Sequence, residues 1–437
     1  MTDTEQKQTT DTKLNRISVL SKANPKEKFN NLMHLFNEES LTQCFHELDG
    51  KKAVGIDLIT KEEYGRSLES NIKQLVQSMK NMAYKPGPVR QVMIPKPGKP
   101  GATRPLGIAN LEDKIVQSMM RKVLEAIYEP LFLECSYGFR PNKGCHDAVR
   151  AMREFLFKND TEIIIDIDLE NYFGTIRHDI LESLLREKIT DRKMMRYIIR
   201  MFKAGVLSEG EMIFSEEGVP QGSICSPVLS NIMAHYVIDT WVEDTVKRHC
   251  RGKISMYRYA DDLCLCCEYK YDADRVKSAL KKRLEKFGLK MNEDKTKLKQ
   301  FSKRKARPAS KQESFDFLGF TFYLGKSQRG FYVPKVKTSK KRFNCKLKGI
   351  NDWMKRSRNL LPMKELWETF CRKMEGHHNY YGTNFNTGNT KRFQMQATRI
   401  MFKWLNRRSQ RRSMSWGKFN LFMKKFPPPK PYVRVKI

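Results

Sequence analysis

A chain of 437 residues with 40% hydrophobic and 30% charged side chains is long enough for two or three domain cores and too apolar to be disordered throughout. Its apolar runs, such as 163–165, are too short to span a bilayer, and the polar start MTDTEQKQTTDTK has no signal-peptide core, so a cytoplasmic protein with no membrane partner is expected. A formal charge of +34 would repel itself unless a polyanion met it, which points to RNA or DNA.

Residues 1–24 read as a disordered polar tail. Helical patterns follow at 26–48 and 61–82, and YKPGPVRQVMIPKPGKPGATRPLGIAN then reads as a hairpin with basic residues near a Gly/Pro-rich tip. A helix over 111–133 leads to the loop CSYGFRPNKGCHDAV and a helix over 146–157. TEIIIDIDLENYFGTI is an apolar strand interrupted by acids, followed by helices over 178–187 and 191–202. GVPQGSICSPVLSNIMAHYVIDTWVEDTV is a turn feeding a long helix. YRYADDLCLCCEY, residues 257–269, then sets Asp261 and Asp262 at a hairpin turn between apolar strands, and a helix over 273–287 follows.

From about residue 300 the character changes. The basic loop SKRKARPASK precedes a strand pair, FDFLGFTFYL and GFYVPKV, and a basic helical remainder. Residues 301–437 carry 34 Lys and Arg against six acids, a net of +28 that leaves +6 to the first 300 residues. WMKRSRN, HHNYYGTNF and MFKWLNRRSQRRSMSWGKF mix aromatic residues with basic ones, a composition suited to phosphates and unpaired bases. Helical spacing gives Trp367, Phe370 and Tyr381 a packing role, while Arg407, Arg408, Arg411 and Arg412 are expected to be exposed to nucleic acid. His377 and His378 lack further ligands at metal spacing and are expected to be a satisfied surface pair. FPPPKPYVRVKI reads as a stiff, extended basic tail. Ten cysteines, clustered only at Cys264, Cys266 and Cys267, show neither a zinc site nor a disulfide framework.

Asp261 and Asp262 alone suit a solvated turn as well as a site. Asp166 and Asp168, two apart in a strand, project from one face about 7 Å apart. Uncompensated carboxylates in so apolar a strand are costly, which favours a strand end, a basic partner or a cation. Mg²⁺ takes one or two carboxylates and shares its other positions with water and substrate phosphates. Two such ions about 4 Å apart can drive phosphoryl transfer. With the basic flank, the two acidic sites suggest nucleotidyl transfer.

The chain resembles a group II intron reverse transcriptase/maturase, a bacterial intron-encoded protein without the zinc-bearing endonuclease domain, from about residue 29 onward. The resemblance rests on IPKPGKPGATRPLGI, YGFRPNKGCHDAV, DIDLENYF, GVPQGSICSPVLSNI, YADD, LKMNEDKTKL and FDFLGFTF, in that order. It implies an α+β right-hand polymerase: fingers with an N-terminal extension over 25–160, and a palm over 161–337. The palm would hold an antiparallel sheet with the YADD hairpin and fingers-derived helices near 178–215. An α-helical thumb or maturase domain over 338–410 and a basic tail or DNA-binding remnant over 411–437 would follow.

The resemblance makes Asp168, Asp261 and Asp262 catalytic. Asp168 and Asp261 would be the principal ligands of two Mg²⁺ ions, for which Mn²⁺ can substitute, joined by Asp262 and the Leu169 backbone carbonyl, with Asp166 outside the set. It assigns dNTP binding to Lys96 and Arg104 on the fingers, to Phe173 crowding a ribose 2′-OH, and to Gln221, Gly222, Lys295 and Lys297. Either lysine would contact phosphate or act as an acid toward pyrophosphate. Arg140 is left as a brace of the palm or a template contact, and Gly174 departs from the aspartate common at that position. The implied activity is RNA-directed DNA polymerisation that copies a group II intron RNA by target-primed reverse transcription and assists its splicing. The implied partners are that RNA, the RNA template and the DNA primer or target, with nucleoid association when acting on DNA. A free-standing relative serving defence, repair or spacer acquisition, and a splicing-only RNA-binding maturase, stay open as alternatives.

Overall fold

The structure, a computed structural model, describes residues 9–95, 101–208, 210–304, 313–408 and 414–437. Its strands are β1 (Val89–Pro95), β2 (Thr103–Ile108), β3 (Ile163–Asp168), β4 (Val206–Ser208), β5 (Glu211–Ile213), β6 (Ile254–Tyr259), β7 (Asp262–Cys267), β8 (Lys297–Gln300), β9 (Phe315–Phe317), β10 (Phe320–Lys326) and β11 (Tyr332–Thr338). They form three sheets, ordered β2-β1-β4-β5, β6-β7-β3-β8 and β11-β10-β9.

The β6-β7-β3-β8 sheet is antiparallel throughout. Its strand β3 is covered on both faces, which is why four isoleucines are tolerated there. Ile163, Ile165 and Ile167 enter a large core with Leu263 and Leu265. Ile164 enters a second core with Cys264, Cys266, Phe320 and Phe322. The pleat therefore sets Asp166 and Asp168 on the second-core side. It also splits the cysteine cluster, because Cys267 joins the large core.

The helix Leu111–Tyr128 is buried along most of its length and forms the spine of the large core. The helix Arg192–Phe202 packs Met194, Met195, Tyr197 and Ile198 on the same core. Asp191 fixes its start: one carboxylate oxygen accepts from the backbone N–H groups of Lys193 and Met194, the other from those of Leu32 and Met33. Beyond β11, the helices Lys340–Ser357, Met363–Tyr381, Thr387–Leu405 and Trp416–Lys425 surround a third core containing Trp367 and Phe370. Tyr381 is buried in the second core. No helix among the described residues is long and apolar enough to cross a membrane.

Three sequence expectations need correction. Residues 10–23, read as part of a disordered tail, form the helix Thr10–Ala23, and the buried Ser21 hydroxyl donates to the Ile127 carbonyl at 2.6 Å. Its packed side is made of Thr10, Ser21 and partly buried Leu14 and Ile17, too little apolar surface to give a clear helical period. The C-terminal segment, read as an extended basic tail, is docked on the body: Val435 bridges Thr383, Arg434 pairs with Glu375, and Ile437 is buried. His377 and His378 are buried instead of exposed, and none of their ring nitrogens finds a partner among the described residues. The His377 ring stacks on Phe393 with centroids 3.5 Å apart.

Burial, and then the charges of His378 and Lys346, push His377 down to about 3. A histidine kept neutral in the fold but protonated when unfolded, near pH 6.5, loses stability for the fold as pH drops below that value. We expect His377→Phe to lessen the fall in Tm between about pH 6.5 and 5, measured by thermal unfolding. Superimposable Tm–pH curves for the two proteins would contradict this.

Candidate active site

Cross-strand register brings the proposed carboxylates to one end of the central sheet. Asp168 of β3 lies directly opposite Asp262 of β7, and Tyr259 of β6 pairs with Asp262, leaving Ala260 and Asp261 as a two-residue turn. Ala260 has φ 57°, a left-handed conformation that costs an L-residue about 1–2 kcal/mol.

The surroundings hold this turn from two sides. The segment before Gly138 runs along β6, with the Arg258 N–H donating to the Cys135 carbonyl and the Tyr137 N–H to the Arg258 carbonyl, both at 2.8 Å. Gly138 then lies so close to the turn that a β-carbon would overlap the backbone nitrogen of Ala260. Arg258 is fully buried and donates to both carboxylate oxygens of Asp239 at 2.7 and 2.6 Å, to Asn231 Oδ1 at 2.9 Å and to Ser136 Oγ at 2.7 Å. It also reaches the Ala260 carbonyl at 3.3 Å, and the Asn231 amide donates to the Gly138 carbonyl at 2.7 Å. One buried network thus grips both the turn and the glycine beneath it. Sequence reasoning missed these residues. Their signal was a lone arginine in the apolar strand ISMYRY and a lone acid in the apolar helical run IMAHYVID.

Asp261 and Asp262 are exposed to solvent at the hairpin turn, and protein atoms packed around the turn still take away part of the water their carboxylates would have in a free chain. Burial raises the Asp261 carboxyl, its own backbone N–H opposes this, and the Asp168 charge adds to the rise. Asp262 is pushed up to about 6 by burial and then by Asp261, Asp166 and Asp168, against Arg342. Asp166 is pushed up to about 6 by burial, Asp168 and Asp316, against Lys299 and Lys297. A cation relieves mutual pressure of this kind.

The donor set fits a hard divalent ion. No three His, Cys, Asp or Glu side chains among the described residues form a ready cage. Mg²⁺ does not require one, since it binds through one or two carboxylates and takes other oxygens from water and substrate. The Leu169 carbonyl accepts no hydrogen bond from the described residues, whereas the neighbouring Asp168 carbonyl accepts from Asn292 at 2.8 Å. Lys295 Nζ lies 2.9 Å from Asp168 Oδ2, with both side chains about half exposed. A pair so exposed contributes at most about 1 kcal/mol and can give way to a stronger cation. Lys297 stands opposite Asp166 in β8.

A chain of backbone contacts links this sheet to the β1–β2 hairpin. Phe173 packs against the large core at the end of the β3 segment, and its carbonyl accepts from the Val219 N–H at 2.8 Å. The Gln221 carbonyl accepts from the Gly107 N–H at 2.5 Å. Gly222, at φ 106°, lies where a β-carbon would press on the Gly107 carbonyl and Leu106. Buried Gln117 secures the loop by accepting from Ser223 Oγ at 3.0 Å and the Ile224 N–H at 3.1 Å. Arg104 is exposed on β2, the strand that carries Gly107. Lys96 lies outside the described residues. At Gly174 a β-carbon would meet the Asn171 side-chain amide, which would have to move aside.

Other candidates lie away from the carboxylates. Arg140 is buried, pairs with Glu129 at 2.8 Å and donates to the carbonyls of Leu133 and Ser136, so its guanidinium is spent on bracing. Arg407 and Arg408 are exposed at the end of the helix Thr387–Leu405, with the Arg407 guanidinium 5.3 Å from the Trp404 ring centroid. Arg411 and Arg412 lie outside the described residues. A cavity of about 830 Å³ opens beside Asp262 and is lined by Arg342, Lys346, Arg372 and Lys373 from the basic helices.

Comparison with known proteins identifies the family of the chain. The reverse transcriptase (RNA-dependent DNA polymerase) family matches residues 94–322. The chain is 36% identical over 224 residues to the group II intron-encoded protein LtrA of Lactococcus lactis subsp. cremoris, covering 51% of this chain and 37% of that protein. It is 40% identical over 173 residues to an uncharacterized 91 kDa protein in cob intron of Schizosaccharomyces pombe, covering 40% of this chain and 21% of that protein. It is also 30% identical over 311 residues to protein YkfC of Escherichia coli (strain K12), covering 64% of this chain and 78% of that protein. The match therefore spans only 37% and 21% of the two intron-encoded relatives. Because the family match takes in more than half of the chain, including Asp168, Asp261 and Asp262, the chain belongs to the reverse transcriptase (RNA-dependent DNA polymerase) family.

Proposed function

We propose that this protein is an RNA-directed DNA polymerase that copies a group II intron RNA by target-primed reverse transcription and assists its splicing. The observation that carries the polymerase reading is the pairing of Asp168 with Asp262 across the sheet, with Asp261 at the adjoining turn. In this reading residues 25–160 are the fingers with their N-terminal extension, and 161–337 are the palm. Residues 338–410 are the thumb or maturase domain, and 411–437 a DNA-binding remnant.

Asp168, Asp261 and the Leu169 carbonyl would hold two Mg²⁺, with Asp262 beside them. Bound there, the ions would lower the charge barrier between a primer 3′-hydroxyl and the α-phosphate of a dNTP. The protein's own residues do the rest. Arg104, with Lys96, grips the triphosphate, a task suited to the bidentate geometry of a guanidinium. Gln221 and Gly222 bring backbone close to the incoming nucleotide because glycine has no side chain to obstruct it. Lys295 exchanges its contact with Asp168 for a phosphate, or gives a proton to departing pyrophosphate, and Lys297 is the alternative for the same work. The basic cavity beside Asp262 offers the product duplex a path past the thumb, where Arg407, Arg408, Arg411 and Arg412 add phosphate contacts.

Phe173 excludes a ribose 2′-hydroxyl by occupying its space. Phe173→Ala is expected to raise incorporation of rNTP relative to dNTP by about tenfold to a hundredfold, measured as the ratio of kcat/KM values. An unchanged ratio would remove Phe173 from sugar selection. The reading as a whole is tested by extending a DNA primer annealed to an RNA template with dNTPs and Mg²⁺, alongside splicing of a group II intron RNA. Absence of extension would refute the polymerase role, and splicing without extension would favour a splicing-only maturase.

A further inference from the structure

The outer face of the helix Arg192–Phe202 carries a concentration of positive charge that the proposed polymerase site does not use. This helix buries Met194, Met195, Tyr197, Ile198, Met201 and Phe202, so Arg192, Arg196, Ile199 and Lys203 form the opposite stripe. That stripe is one wall of a cavity of about 920 Å³, whose other walls bring Lys85 and Arg186. Seven cations and no acid line it, counting Lys193 and Arg200. Arg186 is paired with Glu182, and Arg200 donates to the carbonyls of Met82 and Tyr84. Lys85, Arg192, Lys193, Arg196 and Lys203 are exposed and have no ion partner among the described residues.

The local cost of this arrangement is plain. Arg192 and Lys193 stand in the first turn, at the positive end of the helix dipole, where cations are unfavourable. Arg192 and Arg196, and Arg196 and Arg200, repel at the spacing of successive turns. The Asp191 carboxylate caps the helix start, and no acid follows it within residues 192–208 to offset the row of cations. From Arg192 to Lys203 the helix advances about 16 Å, a length over which a nucleic-acid duplex presents about ten phosphates. A phosphate backbone would relieve the repulsion among these side chains.

We infer that this face is a second nucleic-acid surface, separate from the carboxylate cleft, which binds the backbone of a folded RNA. The choice of RNA over DNA rests on the function proposed above. The surface would hold the RNA body while its single-stranded part is copied elsewhere.

The test uses the full chain with Arg192→Ala, Arg196→Ala and Lys203→Ala combined, exposed positions at which alanine does not disturb the buried side of the helix. Binding of a labelled RNA stem-loop is measured in excess unlabelled primer–template duplex, between about 50 and 200 mM salt, with duplex DNA of the same sequence as a second arm. We expect affinity for the stem-loop to fall at least about tenfold and its log–log salt slope to lose about 2 to 3. Extension of a saturating, annealed DNA primer on RNA should keep its wild-type kcat. Unchanged stem-loop affinity and slope would overturn the inference, and a loss confined to duplex DNA would overturn its assignment to RNA. Failure of the wild type to extend any primer would refute the polymerase reading instead, while the binding comparison would still decide this surface.

Discussion

Asp261→Asn should lower single-turnover extension of a DNA primer on an RNA template by at least about a thousandfold, equivalent to about 4 kcal/mol of lost transition-state stabilisation. Asparagine keeps the shape of the turn residue and removes the negative charge that would hold a divalent ion. The substitution also relieves repulsion from Asp168, so the fold should become no less stable. RNA affinity should hardly change, because it comes from the basic helices and not from this turn. The check is to measure extension rate, Tm and RNA affinity on one preparation. A rate within a few fold of wild type would remove Asp261 from the chemistry, whereas a collapse in Tm would show that its role is structural.

Arg258→Met should destabilise the protein by about 3–5 kcal/mol, because Asp239 would be left charged and alone in the core. Both side chains of this pair are fully buried, so solvent cannot take over the lost bonds. Adding Asp239→Leu should recover most of the loss, since a matched apolar pair can replace a buried ion pair. Denaturant midpoints for the two single variants and the double variant would measure this. The activity of the double variant carries a separate message. If the network holds Ala260 in its left-handed conformation, extension should remain impaired after stability returns, through the lost contacts to the Ala260 carbonyl and Asn231. Equal losses in both single variants with no recovery in the double would contradict the pairing.

Much of this arrangement was legible in the sequence because it depends on local pattern. The alternation in IIIDID set Asp166 and Asp168 on one strand face, and YADD between two apolar runs marked a hairpin. The structure pairs those strands at Asp168 and Asp262. What could not be read depends on contacts between distant segments. Arg258 meets Ser136 across 122 positions, and Gln117 secures a loop more than a hundred residues away. The helix Thr10–Ala23 was hidden because its buried side includes Thr10 and Ser21, so tertiary hydrogen bonding replaces an apolar stripe. His377 and His378 looked like surface residues because polarity alone suggested it. Instead, the aromatic face of His377 packs on Phe393 as an apolar ring would.

The central claim is that Asp168 and Asp261 hold divalent ions jointly. It is tested most directly by titrating Mn²⁺, read by electron paramagnetic resonance, into the protein bound to a blocked DNA primer, an RNA template and the next dNTP. About two bound ions per wild-type chain are expected, with at least one lost in both Asp168→Asn and Asp261→Asn. Full occupancy in both variants would contradict it.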